Sequence, residues 1–437
     1  MKTGNLLFAA VLFAGLLTHS SANAQSTSYV KQIITGNSGK FEFVPPYSDY
    51  VNVQSYNPLT KTVNLFDTIY TQSAQFILIS GNMTYVAAQD SIVKYNLNTL
   101  QRVAGVKDAG LNQLAIFNGR LIVSKQYPLI SDFVEVLDTA HLGIIAEVSG
   151  ISGDCAGISM ANDTVYVAVN EGYLGTKGKL AVIDPSTWTL KTELDFGPEA
   201  VGIFNLYNYH DRIFSVNKSP YGLIDTGSIT VYNPPDRSFT NVFVHHTVGA
   251  GTGILDSLLY LVLDNGIGSF NMNTLAVQDS VIVHDPGPAD FIISSTLDTL
   301  NGLIYANIGD YATPGYCMVT SLTGDSTTSF ATGISSDAVA VDYRTYPAGI
   351  VNNTSETAVV KLFPNPVSDK LTVSLNEQAD IKSIQVSDIS GRILFRQDPE
   401  AGDRRSFTVP CRDLPCGMYW LILETSQGKL ARPFVKK

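Results

Sequence analysis

The chain has 437 residues, 45% hydrophobic and 15% charged, a composition that forms cores and excludes a disordered chain. Its formal net charge is −11, and no basic run with interleaved aromatics occurs, which excludes nucleic acid as a partner. The length fits one large β domain and a small one, and the aromatic content is Tyr- and Phe-rich with 2 Trp, which favours strands.

Residues 1–24 read as a signal peptide. Lys2 supplies the positive start, Leu6 to Leu17 form an apolar run, and Ala22-Asn23-Ala24 forms a small-x-small cleavage site. The run is about a dozen residues, short of the ~20 that span a bilayer. No later segment is long and apolar enough to span, so the expectation is a secreted protein with no transmembrane segment, at the outer cell surface or beyond after passage through the periplasm.

Residues 25–345 are a succession of short strands separated by turn residues. A strand ending in Asn, Asp or Ser recurs, with anchors at Asn57, Asn96, Asp138, Asp184, Asn233, Asn271 and, more weakly, Ser321. The spacing is about 40 to 50 residues, the period of a four-stranded propeller blade. The Asn or Asp side chain closes the following turn by bonding backbone two residues on, so these are turn residues and not catalytic carboxylates. Six blades follow directly, at Gln75–Val106, Asn112–Val148, Cys155–Leu194, Ala200–Val244, Thr252–Val283 and Asp290–Phe330. A seventh is split: 29–70 supplies its outer strands and 337–341 its innermost. The expectation is an all-β, seven-bladed β-propeller, with six- or eight-bladed counts as the alternatives because the first and last units are least regular.

The phrase KLAVIDPSTWTLKTELDFGPEAVGI, Lys179 to Ile203, resembles the repeats of YVTN-type surface-layer β-propellers, in which a strand ending in Asp is followed by a Thr turn and a strand ending before Gly-Pro. The resemblance implies a recognition scaffold and, less often, a lactonase-type enzyme. Fold alone does not fix function.

Each expected innermost strand opens on a polar residue: Gln75, Gln113, Asp154, Glu199, Thr252, Asp290 and Asp337. Placed around one mouth of the central channel, they would make an acidic ring. Loops on the same face carry Tyr47, Tyr127, Tyr173, Tyr221 and Tyr311, whose rings offer an apolar face and a hydroxyl. Such a mouth could hold a divalent cation, a basic peptide or a sugar. The plainer alternative is that polar residues cap strand ends at any water-filled channel. No catalytic motif, metal-binding spacing or cofactor fingerprint is evident. His245 and His246 are adjacent and point to opposite faces of a strand, so they cannot share a metal. Cys155 and Cys317 sit in apolar strands as buried thiols, whereas Cys411 and Cys416 bracket a turn-like spacer that allows a local disulfide. The functional expectation is a surface protein binding an extracellular peptide, glycan or partner protein. The alternatives are a lactonase-like or other hydrolase at the channel mouth, and a structural or adhesive component.

Residues 346–360 form a linker rich in Pro, Gly, Asn, Thr and Ser. The tail, 361–437, reads as a small Ig-like β-sandwich. Its motifs are Pro364-Asn365-Pro366 before the strand LTV, Asp388-Ile389-Ser390-Gly391-Arg392, Leu414-Pro415-Cys416-Gly417-Met418-Tyr419, Gly428-Lys429 and the closing Lys436-Lys437. In this order they resemble the type A C-terminal sorting domain of the type IX secretion system. The resemblance implies that the secretion machinery is a partner and that the tail directs passage across the outer membrane before removal. Two features depart from the family: the added cysteines, and Pro433, which confines the last strand to a sheet edge. Gly391 and Gly417 are expected at turns that need a positive φ.

Overall fold

The computed structural model describes residues 28–42, 45–129, 131–172, 175–345, 360–379, 381–388, 392–398, 404–425 and 428–437. Ala22, Ala24, Tyr173, Gly391 and residues 346–359 of the linker lie outside them. The chain divides into two compact units, one of them Tyr29–Arg344 and the other including Thr345–Lys437.

Among the described residues the larger unit holds seven four-stranded sheets. Numbered around the ring, their innermost strands are Ser336–Thr345, Ala74–Ser80, Leu111–Phe117, Cys155–Ala161, Ile203–Tyr209, Val248–Leu255 and Phe291–Asp298. Blade 1 joins both ends of the unit: Ser336–Thr345 pairs inside Ser28–Asn37, Val51–Asn57 and Thr62–Ile69. That arrangement covers the edges an open array would leave unpaired.

Sequence alternation explains the packing between blades. In blade 4 the strand Thr164–Val169 is TVYVAV. Val165, Val167 and Val169 pack with Ile122 and Val134 of blade 3. Tyr166 and Ala168, on the opposite side, pack with Leu206, Ile213 and Tyr232 of blade 5. A strand sandwiched between two neighbours is apolar on both faces, and side chains of period 2 divide between the two contacts. Blade 1 meets blade 7 in the same way, with Tyr56 stacked on Phe330 at a centroid distance of 3.9 Å.

The anchor residues close their turns as expected. Oδ1 of Asn57, Asn96, Asp138, Asp184 and Asn271 each accepts the backbone N–H two residues on, at 2.9 to 3.0 Å. Ser321 does the same through its hydroxyl at 3.3 Å. Asn233 is the exception, for a covalent reason: two residues on stands Pro235, which has no N–H. There Asp236 takes over, accepting from Ser238 N at 3.0 Å.

The smaller unit is a two-sheet sandwich, with three strands in one sheet and four in the other. Leu371 and Val373 from one sheet and Val386, Leu421, Leu423 and Phe434 from the other share one core. Pro364, Asn365 and Pro366 lie between the strands Val360–Phe363 and Lys370–Ala379, outside the ladder. Pro433 lies in Gly428–Lys436, which is indeed an edge strand. Gly417 corrects an expectation. It opens the strand Gly417–Thr425, opposite Lys436, and is not among the positive-φ residues. An added Cβ there would make only ordinary contact, 3.8 Å from the Tyr419 ring, so a strand and not a turn explains its backbone.

Candidate functional site

The innermost strands wall a central cavity of about 750 Å³. Its shape depends on a repeated irregularity. In blades 2 to 7 the innermost strand slips register against its partner near its first residues. A bulge re-aims the side chains beside it. The bulged Gln75, Phe204 and Ile293, together with Gln113 and Thr252, therefore reach the cavity wall.

Of the expected ring, Gln75, Gln113, Thr252 and Asp337 line the cavity, and Asp154, Glu199 and Asp290 do not. Among the described residues Asp337 is thus the one carboxylate of that ring on the cavity wall. The seven residues are not structurally equivalent. Asp154 and Asp290 precede their strands by one residue, Glu199 precedes its strand by four, and Thr252 is fifth within its own. Glu199 sits in the short 3-10 turn Pro198–Ala200 and turns outward, its Oε2 accepting from Asn241 Nδ2 of the outermost strand at 3.0 Å. Asp154 lies against Gly172, where an added Cβ would meet its Oδ2 at 2.5 Å. Among the described residues no three His, Cys, Asp or Glu side chains converge as metal ligands.

Asp337 Oδ2 accepts the Ser335 hydroxyl at 3.0 Å and also that of Ser38. Burial raises its carboxyl to about 6, against the opposing effect of these two donors. Burial, with the Asp337 charge nearby, also raises the Tyr311 phenol, and Tyr311 packs on Phe291 at 5.7 Å. The structure therefore brings Asp337 and Tyr311 together. Tyr127 and Tyr221 project from loops on the same face, 81% and 92% exposed.

Sequence reasoning missed Lys218. It follows the strand Arg212–Asn217, and its N–H donates to Gly202 O at 2.9 Å, which sets it beside the start of the innermost strand of blade 5. It lines the cavity, with Nζ 3.2 Å from the Phe204 ring centroid. Burial lowers its amine to about 8. The signal was available: the residue leaving each second strand is polar, as at Ser38, Gln89, Gln126, Asn170 and Asp264, and Lys218 is its one lysine.

The thiols also depart from expectation in one pair. All four cysteines are free; Cys155, Cys317 and Cys411 are buried and Cys416 is exposed. Cys411 turns into the sandwich core, its Sγ on Val409 O at 3.5 Å, while Cys416 faces solvent, so the local disulfide is not formed. His246 Nδ1 contacts Asp264 Oδ2 at 2.5 Å, and His245 takes a left-handed φ of 53°, so the pair makes no shared site.

No curated protein matches the sequence. Solved structures similar to the chain include the WD40 repeats of RRP9, at 11% identity over 69% of this chain and 87% of that one, with a TM-score of 0.48. Hydrazine synthase of Kuenenia stuttgartiensis aligns at 11% identity over 65% of this chain and 90% of that one, TM-score 0.48. PorZ, a surface component of the type-IX secretion system of Porphyromonas gingivalis, aligns at 12% identity over 90% of this chain and 65% of that one, TM-score 0.46. Among the described residues no helix is long and apolar enough to cross a membrane. Residues 361–437 match the secretion system C-terminal sorting domain, which marks the protein for type IX export to the cell surface or the extracellular space.

Proposed function

We propose that this protein is an exported β-propeller of the YVTN surface-layer type that binds an extracellular peptide, glycan or partner protein at one mouth of its channel. The observation that carries this reading is the cavity of about 750 Å³, within the range of about 300–1,000 Å³ typical of ligand sites. Tyr127, Tyr221 and Tyr311, in loops that follow the second strands of their blades, are exposed by 81%, 92% and 50%. Exposed tyrosines suit sugar rings and peptide backbones. Gln113 and Asp337 supply polar groups on the cavity wall.

Glycan and peptide arrays probed with the mature full chain test the reading. Binding that is lost in Tyr311→Ala and Gln113→Ala, with unchanged thermal unfolding, supports it. Arrays that stay blank, or hits indifferent to both substitutions, count against it. A hydrolase reading is favoured by one observation, the Asp337 carboxyl raised to about 6, a value suited to acid–base work near neutral pH. The paired carboxylates Asp108 and Glu135 do not help it, because both are engaged by the buried Lys125 and neither lines the cavity. Lactone turnover abolished by Asp337→Asn would move the balance toward an enzyme.

The division into a signal peptide at 1–24, a propeller to 345, a linker over 346–360 and a removable tail belongs to the same proposal. Deleting 362–437 is expected to leave a folded propeller retained inside the outer membrane. Surface arrival of the truncated chain would refute the sorting role of the tail, and loss of folding would refute the boundary.

A further inference from the structure

Among the described residues two charged side chains line the cavity, Lys218 and Asp337. They belong to blades 5 and 1, with blades 6 and 7 between them on the shorter path around the ring. Each has its own surroundings. Asp337 is held by Ser38 and Ser335. Lys218 Nζ has no carboxylate and no hydrogen-bond acceptor among the described residues, and its close contact is the face of Phe204, 3.2 Å from the ring centroid.

An ammonium drawn partly out of water is costly to leave without an anion. The cation–π contact recovers only part of that cost, and it fixes the amine on the cavity side of the bulged Phe204. In a chain with 39 acidic and 28 basic residues, an acid beside Lys218 would be easy to supply, yet none is there. The wall of blades 6 and 7 adds neutral groups. Thr252 Oγ1 and Ser295 Oγ lie 2.7 Å apart on that wall, whereas the Ser294 hydroxyl is held by Ser336 O and Asn307 Nδ2. Gly251 keeps the wall thin: an added Cβ would come within 2.4 Å of Tyr207 Oη.

We propose that the cavity binds a small organic carboxylate, with its anionic group on Lys218 and its polar remainder on the Thr252 and Ser295 hydroxyls. This rests on the reading that the channel is the ligand site, and it narrows the ligand to a monocarboxylate such as an acidic sugar or a keto acid. One unpaired cation with neutral donors matches a single carboxylate charge; a phosphate dianion asks for more positive charge than the wall holds.

The test is trace acetylation of the mature full chain with acetic anhydride, read by peptide mass spectrometry at Lys218 and at the surface residues Lys107 and Lys177. D-glucuronate, pyruvate and L-lactate are each added, beside D-glucose and inorganic phosphate as controls. The expected result is that one carboxylate slows Lys218 acetylation by about tenfold at ten times its Kd, by mass action, with Lys107 and Lys177 unchanged. The thermal shift given by that carboxylate is expected to vanish in Lys218→Met. Unprotected Lys218 with all three carboxylates overturns the proposal, as does equal protection by phosphate. A glucose or array ligand that binds while Lys218 stays unprotected overturns the carboxylate alone and leaves the channel reading intact.

Discussion

Gln32 Nε2 donates to Asp342 Oδ2 at 2.9 Å across 310 residues of sequence, joining the first strand of the propeller to its last. Asp342 is fully buried, and its other oxygen meets Arg344 Nε at 2.5 Å. The pair closes the ring with a charged clasp. A carboxylate in that position is tolerated because Gln32 and Arg344 satisfy both of its oxygens.

Asp342→Ala strands Arg344 beside a gap at the ring closure. It is expected to cost about 3 kcal/mol, the scale of breaking a buried pair by removing one partner. Denaturant unfolding measures it. A cost near zero would show that blade 1 is held by its apolar contacts alone.

The turn anchors divide into those that hold a backbone N–H and the one that cannot. Asn96→Ala loses the bond to Asn98 N at 2.9 Å and is expected to cost about 1 kcal/mol. Asn233→Ala loses no backbone bond, because Pro235 follows, and only a side-chain contact with Asp236, so it is expected to cost less, within about 0.5 kcal/mol of wild type. Equal losses in the two variants would mean that the side-chain bond does not stabilise these turns.

Asp337 sets a pH dependence. Its carboxyl is raised from 3.8 to about 6, so between those values the folded state binds more protons than the unfolded one. Stability from this group is therefore full below pH ~4, falls as pH rises through about 6, and stays reduced above it. The raised value, about 6 against 3.8, corresponds to about 3 kcal/mol. Asp337→Asn is expected to match wild type at pH 4 and exceed it at pH 7.5, read as the difference between the two chains in urea unfolding. A constant difference across that range would contradict the assignment.

Asn365 of the PNP step is a tether. Its Oδ1 accepts from Val435 N at 2.8 Å, tying the entry of the sorting domain to its final strand. Asn365→Ala is expected to loosen that domain by about 1 kcal/mol and to lower the surface-exposed fraction in cell fractionation. Unchanged export with a measurable loss of stability would separate the folding role of Asn365 from recognition by the secretion machinery.

Thiol accessibility checks the sulfur assignment. Iodoacetamide is expected to label Cys416 alone in the native protein and all four cysteines in denaturant, because Cys155, Cys317 and Cys411 are buried. Protection of both Cys411 and Cys416 until a reductant is added would restore the disulfide.

What the sequence determined by itself was everything that local chemistry controls. The Asn, Asp and Ser anchors are legible because an Asx turn forms within four residues, and their spacing counts the blades. The apolar inner strands follow from burial on both faces, and the PNP and Gly-Tyr motifs mark the sorting domain without reference to any distant contact. The cavity wall was decided only in three dimensions. Which residue of an innermost strand faces the channel depends on where the bulge falls, and a bulge is a register relation between two strands that one strand does not encode. Asp154, Glu199 and Asp290 look equivalent to Asp337 along the chain, yet they precede their strands, whereas Asp337 lies within its own and lines the wall. Lys218, at the exit of a second strand, became a wall residue because pairing carried it beside Gly202 and laid its amine over Phe204.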